Sequence, residues 1–257
     1  MDLKLKNQQF LVTGGTSGFG GAISNALAGE GANVIVVARS EEKLKELKEQ
    51  YPDQITTIQG DITNSDTIDK SVAEINSSKF NGAVINSGGP PAKAFLETTL
   101  QDWDESYQNL MRWKIEITQK MLPFFQKNDY GRMVYIESIS TKQPVENLVL
   151  SNSVRLGVVG FVKTLSQEIA GTGITLNILA PGYHDTAALN RLFKKKSELE
   201  GISEEEARKQ IEQKSPMGLG NPDDMASLAL WLLSPHSRYV TGQTISHDGS
   251  VMKGTFG

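Results

Sequence analysis

The sequence predicts an α/β protein: a doubly wound parallel sheet covered by helices in three layers, built as a single domain over residues 1–257. Three observations predict it. Short β-branched runs alternate with segments of helical period almost from end to end, the rhythm of βαβ units. Several runs, such as Asn33–Ala38, are apolar throughout, as strands covered on both faces must be. The first run leads straight into a glycine-rich loop with a helical pattern behind it.

In chain order the predicted strands are Phe10–Thr13, Asn33–Ala38, Ile55–Gln59, Gly82–Asn86, Arg132–Glu137, Thr175–Ala180 and Gln243–Ser246. Each is short, rich in Val, Ile and Thr, and bounded by turn-forming residues. The predicted helices are Gly21–Glu30, Glu41–Tyr51, Ser65–Phe80, Asp102–Lys127, Ser151–Ala170 and Pro222–Leu233, where apolar residues recur every three to four positions. No linker rich in Pro, Gly or Ser divides the chain. Residues 185–219 break the rhythm, with no strand, many charges and a capping pattern, Ser203-x-x-Glu206, that opens a helix through about Lys214. An insertion of this length reads as a helical lid over a substrate pocket. Its Lys194-Lys195-Lys196 run reads as a solvated helix face.

Composition narrows the function classes. With no cysteine, the chain has no disulfide framework, thiolate metal site or cysteine nucleophile. Three histidines without ligand spacing argue against a protein-bound zinc, so no metal is expected. The balance of 26 Lys+Arg against 30 Asp+Glu, a net charge of −4, gives no basic surface for nucleic acid or anionic membrane. The N-terminus lacks the apolar stretch of a signal peptide, and no apolar run approaches the length of a membrane span. A cytoplasmic protein is expected.

The loop Thr13-Gly14-Gly15-Thr16-Ser17-Gly18-Phe19-Gly20 carries the first chemistry. Glycines let a backbone turn tightly and approach a pyrophosphate, and the following helix offers N–H groups and the positive end of its dipole. The second strand ends in Ala38-Arg39-Ser40, where a carboxylate would accept bonds from an adenosine ribose. Arginine instead pairs with a 2′-phosphate, with Thr16 and Ser17 as further donors. The cofactor expected is therefore NADP(H).

Taken together these residues resemble the short-chain dehydrogenase/reductase family, a Rossmann-like fold. The Gly-x-x-x-Gly-x-Gly spacing of Gly14, Gly18 and Gly20 is similar to its fingerprint. Asp61-Ile62 resembles the family's adenine-contacting pair, and Asn86-Ser87-Gly88-Gly89 its Asn-Asn-Ala-Gly segment. Pro181-Gly182 with Thr186 resembles the motif that meets the nicotinamide carboxamide, and Thr241-Gly242-Gln243 with Asp248-Gly249 is also familial. The resemblance implies hydride transfer between nicotinamide and a carbonyl or secondary alcohol, with a tyrosine acid/base, a lysine four residues on, a serine and an asparagine.

Carried over residue by residue, that machinery is altered. Ser138 matches the serine, but Ser151 stands at the tyrosine position and Arg155 at the lysine position. Leu110 falls on the asparagine position, and its neighbour Asn109 would face about 100° away on a regular helix. A serine hydroxyl is a far weaker acid than a phenol, and arginine does not release a proton, though it can still donate to the nicotinamide ribose. Tyr183, His184 and Lys114 are the candidate replacements. Asn86-Ser87-Gly88-Gly89-Pro90-Pro91, Trp103-Asp104-Glu105-Ser106-Tyr107 and Ser151-Asn152-Ser153-Val154-Arg155 together resemble an atypical branch of the family associated with dehydrogenases or 3-oxoacyl carrier-protein reductases.

The reading is an NADP(H)-dependent oxidoreductase with a non-standard proton donor, acting on a small carbonyl or alcohol. Ser138, Ser151, Arg155 and Tyr183 form its catalytic set, and a homotetramer or dimer is expected by resemblance. The alternative is a catalytically silent dinucleotide-binding sensor or interaction protein. A third reading is an epimerisation or elimination without net cofactor turnover.

Overall fold

A computed structural model describes residues 1–187 and 189–255. Residue 188 of the expected insertion and the last two residues of the expected domain lie outside the described residues. Seven parallel strands form one sheet in the order β3-β2-β1-β4-β5-β6-β7. They are β1 Gln9–Thr13, β2 Asn33–Ala38, β3 Ile55–Gln59, β4 Phe80–Ile85, β5 Gly131–Ile136, β6 Ile174–Pro181 and β7 Thr244–His247. The helices are α1 Gly18–Gly29, α2 Glu41–Gln50, α3 Ser65–Ala73, α4 Leu100–Tyr107, α5 Trp113–Asn128, α6 Val149–Glu168, α7 Asn190–Glu200, α8 Glu204–Glu212 and α9 Pro222–Leu233.

Strand alternation splits the core into two layers. Phe10, Val12, Val34 and Val36 pack with Ile23 and Leu27 of α1 and with Met225 and Leu230 of α9. Leu11, Ile35 and Val37 point the other way, onto Trp113, Ile117 and Met121 of α5 and Val158 and Val162 of α6. Successive side chains of a strand leave opposite faces, so an apolar run feeds both layers at once. A third, smaller cluster joins Leu189, Phe193, Ala207 and Ile211 within the insertion and takes in Tyr183.

Two predicted helices differ. The segment expected at Ser65–Phe80 leaves the helix after Ala73, because Gln9 Oε1 captures the Asn76 N–H and Asn76 Oδ1 accepts from Ser78, forming a turn before β4. The single helix expected over Asp102–Lys127 is interrupted by a π-helical turn at Gln108–Arg112. Elsewhere local capping sets the ends. Ser40, Thr99, Ser203 and Asn221 each accept a first-turn backbone N–H with their side chains, and Gly201 closes α7 in the left-handed region at φ 64°.

The sheet order reverses between β1 and β4, so a crevice opens beyond the strand ends there. Thr13 closes its floor: its hydroxyl donates to the Asn86 carbonyl at 2.7 Å and accepts the Asn86 N–H at 2.8 Å.

Candidate active site

A cleft of about 700 Å³ lies over that crevice, within the range of small-molecule sites. Its first wall is the glycine loop. Gly14 and Gly18 sit at φ 59° and 52°, and a methyl on Gly14 would meet Asn86 Nδ2 at 2.9 Å. Thr16, Ser17, Gly18 and Phe19 face the cleft, whereas Gly20 does not line it. A methyl on Gly20 would stand 2.2 Å from the Gly14 carbonyl, so Gly20 lets α1 pack under the loop rather than touching a ligand. Ser17, the N-cap of α1, makes no side-chain cap bond, and the first turn carries no acidic residue. The N–H groups at that helix start are left for an anion, which is what a pyrophosphate requires.

Beyond β2, Arg39, Ser40 and Lys43 line the same cleft as Thr16 and Ser17. Arg39 is exposed. Lys43 was not foreseen from the sequence; its place in the first turn of α2, directly after Ala38-Arg39-Ser40, is the signal that could have found it. Asp61 and Ile62 line the wall beyond β3, with Asp61 Oδ1 accepting from the Thr63 N–H at 3.0 Å and its hydroxyl at 2.8 Å. Asn86 and Gly88 follow along the floor. No atom lies within 4 Å of a methyl built on Gly88, so this backbone is open to a ligand.

The far end gathers Ser138, Ser151, Arg155, Pro181, Gly182, Tyr183 and Thr186. Ser138 Oγ accepts from the Ser140 N–H at 3.1 Å, which orients the hydroxyl while its proton has no acceptor among the described residues. Ser151 Oγ accepts from Arg155 Nε at 3.1 Å, and Arg155 Nη1 donates to Glu137 Oε2 at 2.7 Å. Glu137 holds Lys114 Nζ on its other oxygen, and both side chains are fully buried. Lys114 is therefore not a cleft residue, contrary to the expectation that it points into the same space. Burial pushes its ammonium below the ordinary lysine value, Glu137 opposes that, and Arg155 adds to it. Glu137, the buried carboxylate that organises this end, was not singled out by sequence.

The π-turn corrects a second expectation. Leu110, on the asparagine position, is fully buried, while Asn109 lines the cleft. One extra residue in the turn rotates the register that a regular helix would impose, and the Trp113 indole N–H on the Asn109 carbonyl fixes the arrangement.

Of the other two candidate donors, His184 is engaged on both ring nitrogens. Nδ1 lies 3.3 Å from the Gly182 carbonyl and Nε2 lies 2.9 Å from His247 Nδ1. This pairing makes Nδ1 a donor and Nε2 an acceptor, so no ring proton points into the cleft. Burial lowers its pKa, against partial opposition from the Gly182 carbonyl. The histidine pair joins positions far apart in sequence and has no local signal. Tyr183 lines the cleft with no partner for its hydroxyl among the described residues. Burial, and then the charge of Glu146, push its pKa above 10.

The insertion folds over this end. Arg191 Nη1 donates to the carbonyls of Gly89 and Pro90, at 2.5 and 3.1 Å. Lys195 reaches Glu97 at 3.0 Å and Lys196 pairs with Glu200, so these two lysines of the run are tied down rather than simply solvated.

The comparisons with known proteins agree with this architecture. The family model described as Enoyl-(Acyl carrier protein) reductase matches residues 14–251. The chain belongs to the short-chain dehydrogenase/reductase family. It is 28% identical over 258 residues to the 3-oxoacyl-[acyl-carrier-protein] reductase FabG of Aquifex aeolicus, covering 98% of this chain and all of that one. It is 30% identical to the FabG of Thermotoga maritima, covering 97% and 100%. Among solved structures, an actinorhodin polyketide ketoreductase with NADPH superposes with a TM-score of 0.89 at 29% identity, covering 95% of this chain and 97% of that one. The L-sorbose reductase of Gluconobacter frateurii, complexed with NADPH and L-sorbose, shares the fold with a TM-score of 0.89 at 23% identity, over 99% and 100% of the two chains. Among the described residues no helix is long and apolar enough to cross a membrane.

Proposed function

We propose that this short-chain dehydrogenase/reductase is an NADP(H)-dependent oxidoreductase that interconverts a carbonyl and a secondary alcohol, resembling the 3-oxoacyl reductases, with Tyr183 as proton donor. The observation that carries it is one continuous cleft, with Arg39, Lys43 and the uncapped start of α1 at one end and Ser138 with Tyr183 at the other. NADPH, when bound, supplies the hydride. Arg39, Ser40 and Lys43, with Thr16 and Ser17, hold its 2′-phosphate. The loop Gly14–Phe19 takes the pyrophosphate, Asp61 and Ile62 border the adenine, and Asn86, Gly88, Pro181, Gly182 and Thr186 border the nicotinamide half.

Ser138 donates a hydrogen bond to the substrate carbonyl and orients it. Tyr183 gives its proton to the developing alkoxide. Ser151 and Arg155, in place of the family's tyrosine and lysine, hold structure and ribose rather than move a proton: guanidinium stays charged, and the Ser151 hydroxyl, which accepts from Arg155 Nε, is a far weaker acid than a phenol. Residues 185–219 form the lid. The same reading places the protein in the cytoplasm as a homo-oligomer, tetramer or dimer, through the α4 and α6 faces where Tyr107 and Leu156 remain exposed.

The test is calorimetric titration with NADPH and NADH, followed by oxidation assays against a carbonyl panel. Preferential NADPH binding with turnover is expected, and Ser138→Ala should lower that turnover about a hundredfold, as loss of an oriented donor does. Binding without any turnover would favour the sensor reading. Failure to bind either nucleotide would remove the reading altogether.

A further inference from the structure

The Arg155 guanidinium divides its nitrogens among separate tasks. Nε donates to Ser151 and Nη1 donates to Glu137 Oε2. Nη2 has no hydrogen-bond partner among the described residues. It lies against the cleft, where a methyl built on Gly89 would stand 3.5 Å from it.

A guanidinium and a carboxylate left to themselves pair differently. Their planar forks match, and two parallel N–H···O bonds are the favoured arrangement. Glu137 has no second oxygen to offer, because Oε1 is taken by Lys114 Nζ. Lys114 comes from α5, its ammonium lies 5.8 Å from the centre of the Trp113 ring, and its side chain is fully buried. A buried ion pair adds little net stability, since desolvating two charges offsets most of their attraction. What Lys114 contributes is geometry. By occupying one oxygen it limits Glu137 to one bond with Arg155, and Nη2 is left on the cleft. Asp61, the other carboxylate lining the cleft, lies beyond β3 and accepts from Thr63, so it does not compete for that nitrogen.

We propose that Lys114 and Glu137 are positioning residues for the nicotinamide half of NADP(H), acting through Arg155. Lys114 blocks the two-oxygen pairing, Glu137 anchors Nη1, and the remaining nitrogen is aimed at the ribose. This rests on the cleft being the cofactor site and on Arg155 being its ribose donor, as proposed above. Lys114 does not line the cleft, so its effect reaches the cofactor only through its neighbours.

The test compares NADP⁺ with 2′,5′-ADP, which carries the 2′-phosphate end of the cofactor but no nicotinamide ribose. Both are titrated by calorimetry into the parent and its variants, and unfolding midpoints are recorded for each protein. Lys114→Met keeps an unbranched side chain but frees Glu137 Oε1, so the carboxylate draws Nη1 and Nη2 together. NADP⁺ affinity should fall about tenfold, the loss of one charge-assisted hydrogen bond, while 2′,5′-ADP affinity stays the same. Adding Glu137→Gln to Lys114→Met leaves Arg155 one amide oxygen. The fork is again impossible, and the double variant should recover most of the lost NADP⁺ affinity. A role confined to packing or stability would make the double variant bind at least as weakly as the single one. Glu137→Asp keeps the charge but withdraws the carboxylate by one methylene. It should weaken NADP⁺ and spare 2′,5′-ADP, and it carries the test if Lys114→Met does not fold.

An unchanged ratio of the two affinities in folded Lys114→Met would overturn the proposal, as would a double variant that recovers nothing. Where Lys114→Met does not fold, an unchanged ratio in Glu137→Asp overturns it. The functional reading fails differently, in the parent. If the parent binds neither probe, the cofactor assignment falls and the positioning role falls with it. If the parent binds the two equally, the 2′-phosphate site stands while the ribose contact and its positioning residues fall. A parent that prefers NADP⁺, with variants that keep the preference, leaves the cofactor site intact and removes only the positioning role.

Discussion

Glu137 and Arg155 meet in a buried ion pair, Nη1 to Oε2 at 2.7 Å, while the second carboxylate oxygen of Glu137 holds Lys114. One carboxylate at the end of β5 thereby fixes a cation from α5 and another from α6. Arg155 is consequently a rigid donor with a set direction, and the Ser151 hydroxyl is drawn into the same network.

Removing the carboxylate should therefore be costly. Glu137→Gln leaves Arg155 and Lys114 facing each other without a counter-charge, and breaking a buried pair this way costs about 3–5 kcal/mol. Lys114, whose pKa burial already lowers, can shed its proton, which holds the loss towards the lower figure. Ser151→Ala, which removes one hydrogen-bond acceptor, should cost about 1 kcal/mol. Denaturant midpoints at constant slope measure both, and a Glu137→Gln loss no larger than that of Ser151→Ala would show that the cluster does not hold the helices together.

Cofactor choice should follow the cationic corner. Arg39→Ala removes a charge-assisted contact worth about 1.5–3 kcal/mol, so NADPH affinity should fall roughly tenfold to a hundredfold while NADH affinity changes little. Lys43→Ala should act in the same direction by a smaller factor, and both effects should shrink as salt rises because Arg39 is exposed. Titration calorimetry at two salt concentrations checks this. Parallel losses for both nucleotides would place the 2′-phosphate elsewhere.

Much of this was legible in the sequence for a physical reason. The runs at 33–38 and 55–59 coincide with β2 and β3, because β-branched runs bounded by turn residues admit few other structures. The tight turn between β1 and α1 was legible because Gly14 and Gly18 adopt the positive φ that favours glycine. The reacting end was not, since its relationships are made across the fold. Glu137 meets residues from two helices, and His184 meets His247 from another strand. Arg191 reaches Gly89 from α7. Asn109 shows a different limit: the reading that turned it away assumed a regular helix, and a single π-turn reverses that conclusion.

The histidine pair should make stability sensitive to mild acid. His184 has its pKa lowered by burial in the folded protein, so the unfolded chain binds more protons once the pH falls below about 6.5. The stability it supports is complete above that pH and is lost as pH falls further. Unfolding midpoints should drop between pH 7 and pH 5. His184→Phe, which keeps an aromatic edge against Phe19, should flatten that dependence. An unchanged slope in the variant would assign the acid sensitivity to other groups.

Tyr183 should govern the alkaline side of the reduction. Its pKa is raised above 10, first by burial and then by Glu146, so the hydroxyl keeps its proton throughout the neutral range. A donor of this kind is always loaded but weakly acidic, and the rate with NADPH should stay flat with rising pH until the phenol itself ionises. Glu146→Gln removes a negative charge that disfavours the phenolate, and the alkaline limb should then move to lower pH. Tyr183→Phe should lower kcat about 10²–10⁴-fold, the usual contribution of a positioned general acid, with KM little changed because the ring remains. The two variants separate the roles: a buried phenol that only shapes the pocket would change KM and leave the pH profile fixed. A kcat within about tenfold of the parent for Tyr183→Phe would instead give the proton to a water held by Ser138, and Ser138→Ala would then abolish the limb that Tyr183 does not.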